Sequence, residues 1–491
     1  MKRILSNLSP RNLTPPAYLN PNQQADENHT TPLYAFSPPL LTNDLYTQLA
    51  DILLKQDFEA AIRIAEVRDL TDIFFLTDAY QKTLLMFAVE GGNTILIKIL
   101  LSNAIDPDVL LSMKDFIGRT ALITAGRNGN TESIKVILNS VHFPEQHIYA
   151  YDHFGCTALM TAAQRDNPES IKVLLSKVSN PDMLAGMRDS SARTALMYAA
   201  MAGNAESIKA ILSGVKYPEE LACMKDKNGK TALMHAAFHN TSASIKAILN
   251  GVRNPEELSF MKDEDGMTAL MFAASRDNSE SIKVLLSNVN NATQLAFMKN
   301  KDDYNALMLA VFDGSTETIH ALLDHVKNPA ELIYFSNHSG TTALMLCAQN
   351  NNIDDLDSNV MTVMLEREKK VRDPNYRMST KYKKGKNIFI SLEPDSLIFL
   401  TDINGKNAFM VAAEESNDVA LVTLFNWTTD KLGLLKEKNN SQRITVDLLD
   451  PDQCHKLIEE MEVHRESMDL QDVDAVLTLL QKQMAHFLQA Y

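Results

Sequence analysis

Four cysteines among 491 residues, Cys156, Cys223, Cys347 and Cys454, lie far apart and form no CxxC pair. That spacing supplies neither a zinc-ligand set nor a disulfide framework, and it points to a reducing compartment. No run of about 18 apolar residues occurs, and Met1-Lys2-Arg3 is not followed by an apolar core, so neither a membrane-spanning helix nor a secretory signal is expected. Basic residues are short: Lys and Arg number 47 against 62 Asp and Glu, a formal net charge of −15. This balance argues against nucleic acid or an anionic membrane as a whole-surface partner. No Gly-rich phosphate loop, H-E-x-x-H or G-x-S-x-G is present, and no cofactor or metal site is expected.

What the chain does have is a period. The tetrapeptide Thr-Ala-Leu-Met or a near copy returns every 37 residues, with its first residue at Thr83, Thr120, Thr157, Thr194, Thr231, Thr268, Asn305 and Thr342. A constant period of this size is the signature of a stacked array, in which each unit buries its apolar face only against its neighbours.

One unit, Asp226 to Lys262, shows the local logic. Asp226-Lys227-Asn228-Gly229 is a turn, and Thr231 follows as the N-cap of a first helix packed through Leu233, Ala236 and Ala237. Gly92, Gly129, Asp166, Gly203, Asn240, Asp277, Gly314 and Asn351 end that helix in successive units, all residue types that tolerate a left-handed backbone. A second helix carries Ser244-Ile245-Lys246-Ala247-Ile248-Leu249. Asn254-Pro255-Glu256-Glu257-Leu258 then reads as the capped start of a short third helix. Pro107, Pro144, Pro181, Pro218, Pro255 and Pro329 hold that register, with Ala292 in the remaining slot.

The pattern D-x-x-G-x-T-A-L-x-x-A-A-x-x-G-x-x-x-S-I-K-x-L-L resembles the ankyrin repeat, whose usual period is 33. Here Ala stands in place of the usual Pro after Thr, Met usually replaces His, and four residues are added. The resemblance implies an all-α solenoid that binds a partner protein along a concave face, as a monomer. The expected organisation is a Pro- and Asn-rich disordered leader (1–43), N-terminal cap helices (44–79) and eight repeats (80–365). A basic insertion (366–401), a ninth repeat (402–438) and a degenerate last repeat with a helical tail (439–491) follow.

In ankyrin proteins the turn tips and the outer part of the first helix line the binding face. Carried onto this chain, the tip positions are His153, Phe154, Lys227, Lys230, Glu264, Met267 and Tyr304. The helix positions are Gln164, Arg165, Met201, Phe238, His239, Arg276 and Phe312. Several are aromatic or Arg, the types that dominate interface energetics. The recurrent lysines at Lys98, Lys135, Lys172, Lys209, Lys246 and Lys283 mostly follow a glutamate by three positions and read as paired surface charges. Methionine, 23 residues, falls mostly on the repeat positions and reads as core. Cys454-His455 beside Asp450 and Asp452 is the one compact catalytic-type group, but adjacent helical residues point apart, so no catalytic residue is expected.

Within the insertion, Lys369, Lys370, Lys381, Lys383 and Lys384 fit a bipartite nuclear-import pattern or an anionic-lipid contact. The whole chain also resembles ankyrin effectors exported by type IV secretion from intracellular bacteria. Its modified repeats and a tail in which Glu459, Glu460, Glu462 and Glu466 precede Phe487 and Leu488 carry that likeness, which implies action on host proteins in the host cytoplasm. The alternatives are a solenoid that delivers a small enzymatic or adaptor tail, and a resident intracellular scaffold.

Overall fold

The computed structural model describes residues 77–104, 106–313, 315–350, 356–371, 378–380, 388–390, 397–464 and 470–490. The leader, nearly all of the 44–79 segment, and Lys381, Lys383 and Lys384 lie outside the described residues.

Each unit is built from its turn outward. The Asp226 carboxylate accepts the amides of Asn228 and Lys230, both at 2.9 Å, which closes the turn. Gly229 sits at φ +76°, and a Cβ there would come within 2.7 Å of the Glu264 amide of the next turn. A side chain at Gly229 would therefore meet both a left-handed backbone and the neighbouring unit. Thr231 then caps the first helix, Ala232–Phe238, by accepting the Met234 amide. The same N-cap bond recurs from Thr83 to Asn407 in nine units. Asn240 lies at φ 62°, as the helix-ending residues predict, and Gly92, Gly129, Asp166, Gly203 and Asp277 share that region. Ser242–Asn250 and the short Pro255–Ser259 complete the unit.

Stacking follows from small residues and from shared backbone bonds. Ala232–Phe238 packs between the first helices Ala195–Ala202 and Ala269–Ala274 of its neighbours. Ala236 and Ala237 are fully buried in that contact. The turns join edge to edge: Lys227 donates its amide to the Ser191 carbonyl at 3.0 Å, Glu264 to Asn228 at 3.1 Å and Lys301 to Asp265 at 2.9 Å.

The extra four residues per unit also build a contact between units. In six of the short third helices the second residue holds the loop before the next one. Asp108 accepts the amides of His142 and Phe143, Asp182 those of Lys216 and Tyr217, and Glu219 that of Arg253. Glu145 takes the Ser179 amide at 2.8 Å and its hydroxyl at 2.6 Å. Glu256 takes the carboxamides of Asn290 and Asn291, and in the next unit Thr293 accepts the Lys327 amide. A second periodic set is cationic: Lys225 donates to the Lys262 carbonyl at 2.6 Å and Lys262 to the Lys299 carbonyl at 2.5 Å.

The insertion leaves the stack intact. After helix Leu356–Val371, a two-stranded antiparallel pair aligns Met378 with Ile390 and Thr380 with Ile388, a local exception to an otherwise helical chain among the described residues. The turn at Asp402 then docks directly on the turn at Asn337, with the Ile403 amide on the Ser339 carbonyl at 2.9 Å. At the C-terminal end Asn439 still organises a turn, but only one 3-10 turn, Thr445–Leu448, follows it. Helices Pro451–Val463 and Leu470–Ala490 close the array, burying Leu457, Val473, Val476 and Leu480.

Two tests follow from this bonding. Asn305 caps its helix as Thr would, but its buried side-chain nitrogen has no hydrogen-bond partner. Asn305→Thr keeps the cap and removes the orphaned donor, so it should raise the thermal midpoint by about 1 kcal/mol equivalent, whereas Thr231→Ala should cost about the same. Burial alone would raise the Asp108 carboxyl, but hydrogen bonds from His147, His142 and Phe143 outweigh it and bring the pKa from 3.8 to about 2. A depressed folded-state pKa stabilises above the unfolded value, and that stabilisation fades as pH falls from about 4 towards 2. Asp108→Asn should therefore lower the melting temperature clearly at pH 6, and the deficit should shrink below pH 4.

Candidate functional site

The turn tips and first-helix ends bring some of the predicted residues together and separate others. Phe238, at the end of Ala232–Phe238, is the centre of a cluster spanning two units. The Arg276 guanidinium of the next unit stacks on its ring at 4.1 Å, and the Lys230 ammonium sits 4.8 Å from its centroid. Lys230 is equally close to Phe272, at 4.6 Å, and the two rings meet edge to face at 5.8 Å. His239 closes the group, its ring 5.2 Å from Phe238. Lys230, Phe238, His239 and Arg276 are half-buried, Phe272 is buried, and Lys227 and Glu264 are exposed on the turns.

The arrangement has a physical basis. An aromatic face attracts a cation, and the attraction grows when both are partly withdrawn from water. Burial lowers the His239 pKa from 6.5, and the charges of His235, Arg276 and Lys230 lower it further. The cluster is thus apolar at its base and positive around it.

A second pair, Tyr304 and Phe312, meets edge to face at 6.3 Å, both half-buried. Burial, with Asp302 nearby, raises the Tyr304 phenol. His153, Gln164 and Arg165 are exposed, as is Phe154 at 46%, and Met201 is half-buried. Met267 differs: only 7% exposed, it lies beneath the turn with its sulfur 3.6 Å from the Asn300 carboxamide, and a tip position does not make it accessible.

A family model described as ankyrin repeats (three copies) matches residues 43–148, 144–220, 218–295 and 289–373, more than half of the chain. The chain belongs to the ankyrin-repeat family. Among solved structures, the ankyrin repeat domain of Bcl-3, a member of the IkappaB protein family, is similar at 21% identity. The match covers 49% of this chain and 98% of that one, with a TM-score of 0.39. A comparison with curated proteins finds none that matches.

Ankyrin repeats are protein-interaction modules, and the remaining chemical groups suit that role. Lys135, Lys172, Lys209 and Lys283 each pair with the glutamate three residues earlier, the first three at 2.6–2.7 Å. Cys454 is buried and its thiol is pushed up to about 12 by burial and by Asp450, the opposite of an activated nucleophile. His455 instead faces Glu459 at 3.2 Å. No helix among the described residues is long and apolar enough to cross a membrane.

Phe272 escaped the sequence reasoning, although a signal existed. Its slot, four residues after the cap, holds Phe87, Thr124, Thr161, Tyr198, His235, Phe272 and Leu309 in successive repeats. That variation marks it as facing something other than a uniform core. In two repeats the slot reaches the turn aspartate: Tyr198 donates to Asp189 at 2.7 Å, and His235 lies 2.9 Å from Asp226.

The cluster makes a titration prediction. Because its folded-state pKa is depressed, His239 resists protonation, and protonating it as pH falls below 6.5 destabilises the fold. By nuclear magnetic resonance its imidazole should titrate below 6.5. Arg276→Gln should move it upward without restoring the full value, since burial remains.

Proposed function

We propose that this chain recognises a partner protein through the turn tips and first-helix ends of its central repeats. The cluster of Lys230, Phe238, His239 and Arg276 over Phe272 is the anchor. The observation that carries this reading is a half-buried aromatic floor rimmed by two cations that stack on it. Aromatic and Arg side chains held rigidly in partly desolvated sites contribute most to interface affinity. Tyr304 and Phe312 extend the surface by one repeat, and Lys227 and Glu264 flank it on the turns. His153, Phe154, Gln164 and Arg165, two repeats earlier, and Met201, one repeat earlier, offer a further contact region.

A finer reading makes the chain an exported effector that acts on host proteins. Its support is the tail, where Glu459, Glu460 and Glu462 lie on helix Pro451–Val463. The lysines of the insertion supply a separate route to nuclear import or anionic lipid; Lys369 and Lys370 fall on helix Leu356–Val371.

Affinity capture from eukaryotic lysate compares wild type with a Phe238→Ala/Arg276→Ala variant and a Lys135→Ala/Lys172→Ala control, each verified as folded by circular dichroism. A defined protein should be lost from the first variant and kept by the control. Retention by both variants would move recognition to the insertion or the tail.

A further inference from the structure

We infer that the stack carries a hinge between its seventh and eighth turns, opened by Asn300 and Asn337, where the turn edge parts while the helices behind it stay packed. Successive turns are joined by one backbone bond, from the residue after a turn opener to the carbonyl two residues beyond the preceding opener. It runs through six consecutive joints, from Phe116 on Tyr80 to Lys301 on Asp265, and returns at Ile403 and Asn440, always at 2.8–3.1 Å. Among the described residues the exception is His338, whose amide makes no bond to the Asp302 carbonyl. The periodic cationic tie stops at the same joint. Lys225 and Lys262 each reach the carbonyl 37 residues on, but Lys299, next in that series, turns to Asp303 of its own turn at 2.8 Å. The third-helix tie ends there too, since Ala330 fills the position whose side chain accepts a bond in the preceding units.

Asp303 supplies the cause. It sits at φ +65° in the left-handed slot that Gly229, Gly266 and Gly340 fill in other turns. At Gly266 an added Cβ would come within 3.0 Å of the Lys301 amide of the next turn. Ala192 shows that a Cβ alone is tolerated, because the Lys227 bond across that joint survives. The carboxylate is the difference. It is buried, holds Lys299 on one oxygen, and leaves the other 2.7 Å from the exposed His338 imidazole without hydrogen-bond alignment. An ion pair with an exposed partner contributes little, so a weak contact stands where other joints have a backbone bond. Behind the turns the two sides remain joined. Helices Ala306–Asp313 and Ala343–Gln349 pack on each other, the Asn350 carboxamide donates to the Phe312 carbonyl at 3.2 Å, and Arg367 pairs with Asp324. Contacts kept along the helices and lost along the turns define a hinge axis. In a stack whose stability is summed over neighbouring contacts, local opening begins at the joint that lacks them. Opening there swings the ninth turn and the two closing helices relative to Tyr304 and Phe312.

Pairs of spin labels on the full chain measure the joint by pulsed electron paramagnetic resonance. Cys156→Ala and Cys223→Ala first remove the two thiols that are not fully buried. Lys227→Cys/Lys301→Cys labels exposed tips across two bonded joints, and Lys301→Cys/Ile403→Cys spans two joints that include the one at His338. The second pair should give a distance distribution at least about twofold wider than the first. Asp303→Gly returns the usual residue to the left-handed slot and frees Lys299, so it should narrow the second distribution to the width of the first. Thermal unfolding shows whether that variant is folded; if it is not, Asp303→Ala, with the precedent of Ala192, takes its place. Equal widths for the two pairs would overturn the hinge. A wide distribution that the folded variant leaves unchanged would overturn it as well, because the motion would then belong to the joint between Asn337 and Asp402.

Discussion

The acid or amide side chain that opens each turn accepts two backbone amides, and the stack depends on that bond pair. It recurs at Asp78, Asp115, Asp152, Asp189, Asp226, Asp263, Asn300, Asn337, Asp402 and Asn439, taking the amides two and four residues on. With its inner amides satisfied locally, each turn keeps an outer amide and carbonyl for its neighbours. The edge bonds between successive turns then fix the offset at which the alanine faces of the first helices meet. Stability in such a stack is a sum over neighbouring contacts. Here the contacts exist at three levels: the turns, the helix faces, and the carboxylates of the short third helix.

The fold was legible because the period is rigid and each position has one physical task. A Thr or Asn cap, an alanine pair and a residue tolerant of positive φ identify the turn and first helix with no reference to tertiary contacts. The third helix was equally visible from its Asn-Pro opening. What the sequence did not disclose was long-range use of ordinary residues. Asp108, Glu145, Asp182, Glu219 and Glu256 each directly follow a proline, and they read as helix-start acids. Their bonds run 34 or 35 residues ahead, which only the superhelical offset decides. The two strands of the insertion were hidden for a similar reason: Met-Ser-Thr and Ile-Phe-Ile are too short to stand out beside so many lysines.

The candidate surface shows the same division. Lys230, Phe238, His239 and Arg276 were separable as variable positions on a repeating frame, because variation within a fixed period is visible in one sequence. Which of them touch was not visible, since Phe238 and Arg276 belong to different repeats and meet through stacking. Met267 shows the opposite outcome, a tip position whose flexible side chain folds under the turn instead of out of it. The cluster's acid–base character also arises only in three dimensions, where cations from two repeats converge on one imidazole.

The docking of the Asp402 turn on the Asn337 turn separates chain continuity from structural continuity. Between these two turns the chain runs through helices Ala343–Gln349 and Leu356–Val371, which pack in the stack, and on through the insertion, yet the eighth and ninth turns are bonded to each other directly. Cooperative order therefore crosses the insertion through space and not along the backbone. A single cut among the insertion residues would leave two polypeptides still joined by a native interface, as in a split protein. The repeats on either side are thus held by their own turn-to-turn interface, to which the insertion adds the buried Leu397 and Ile398.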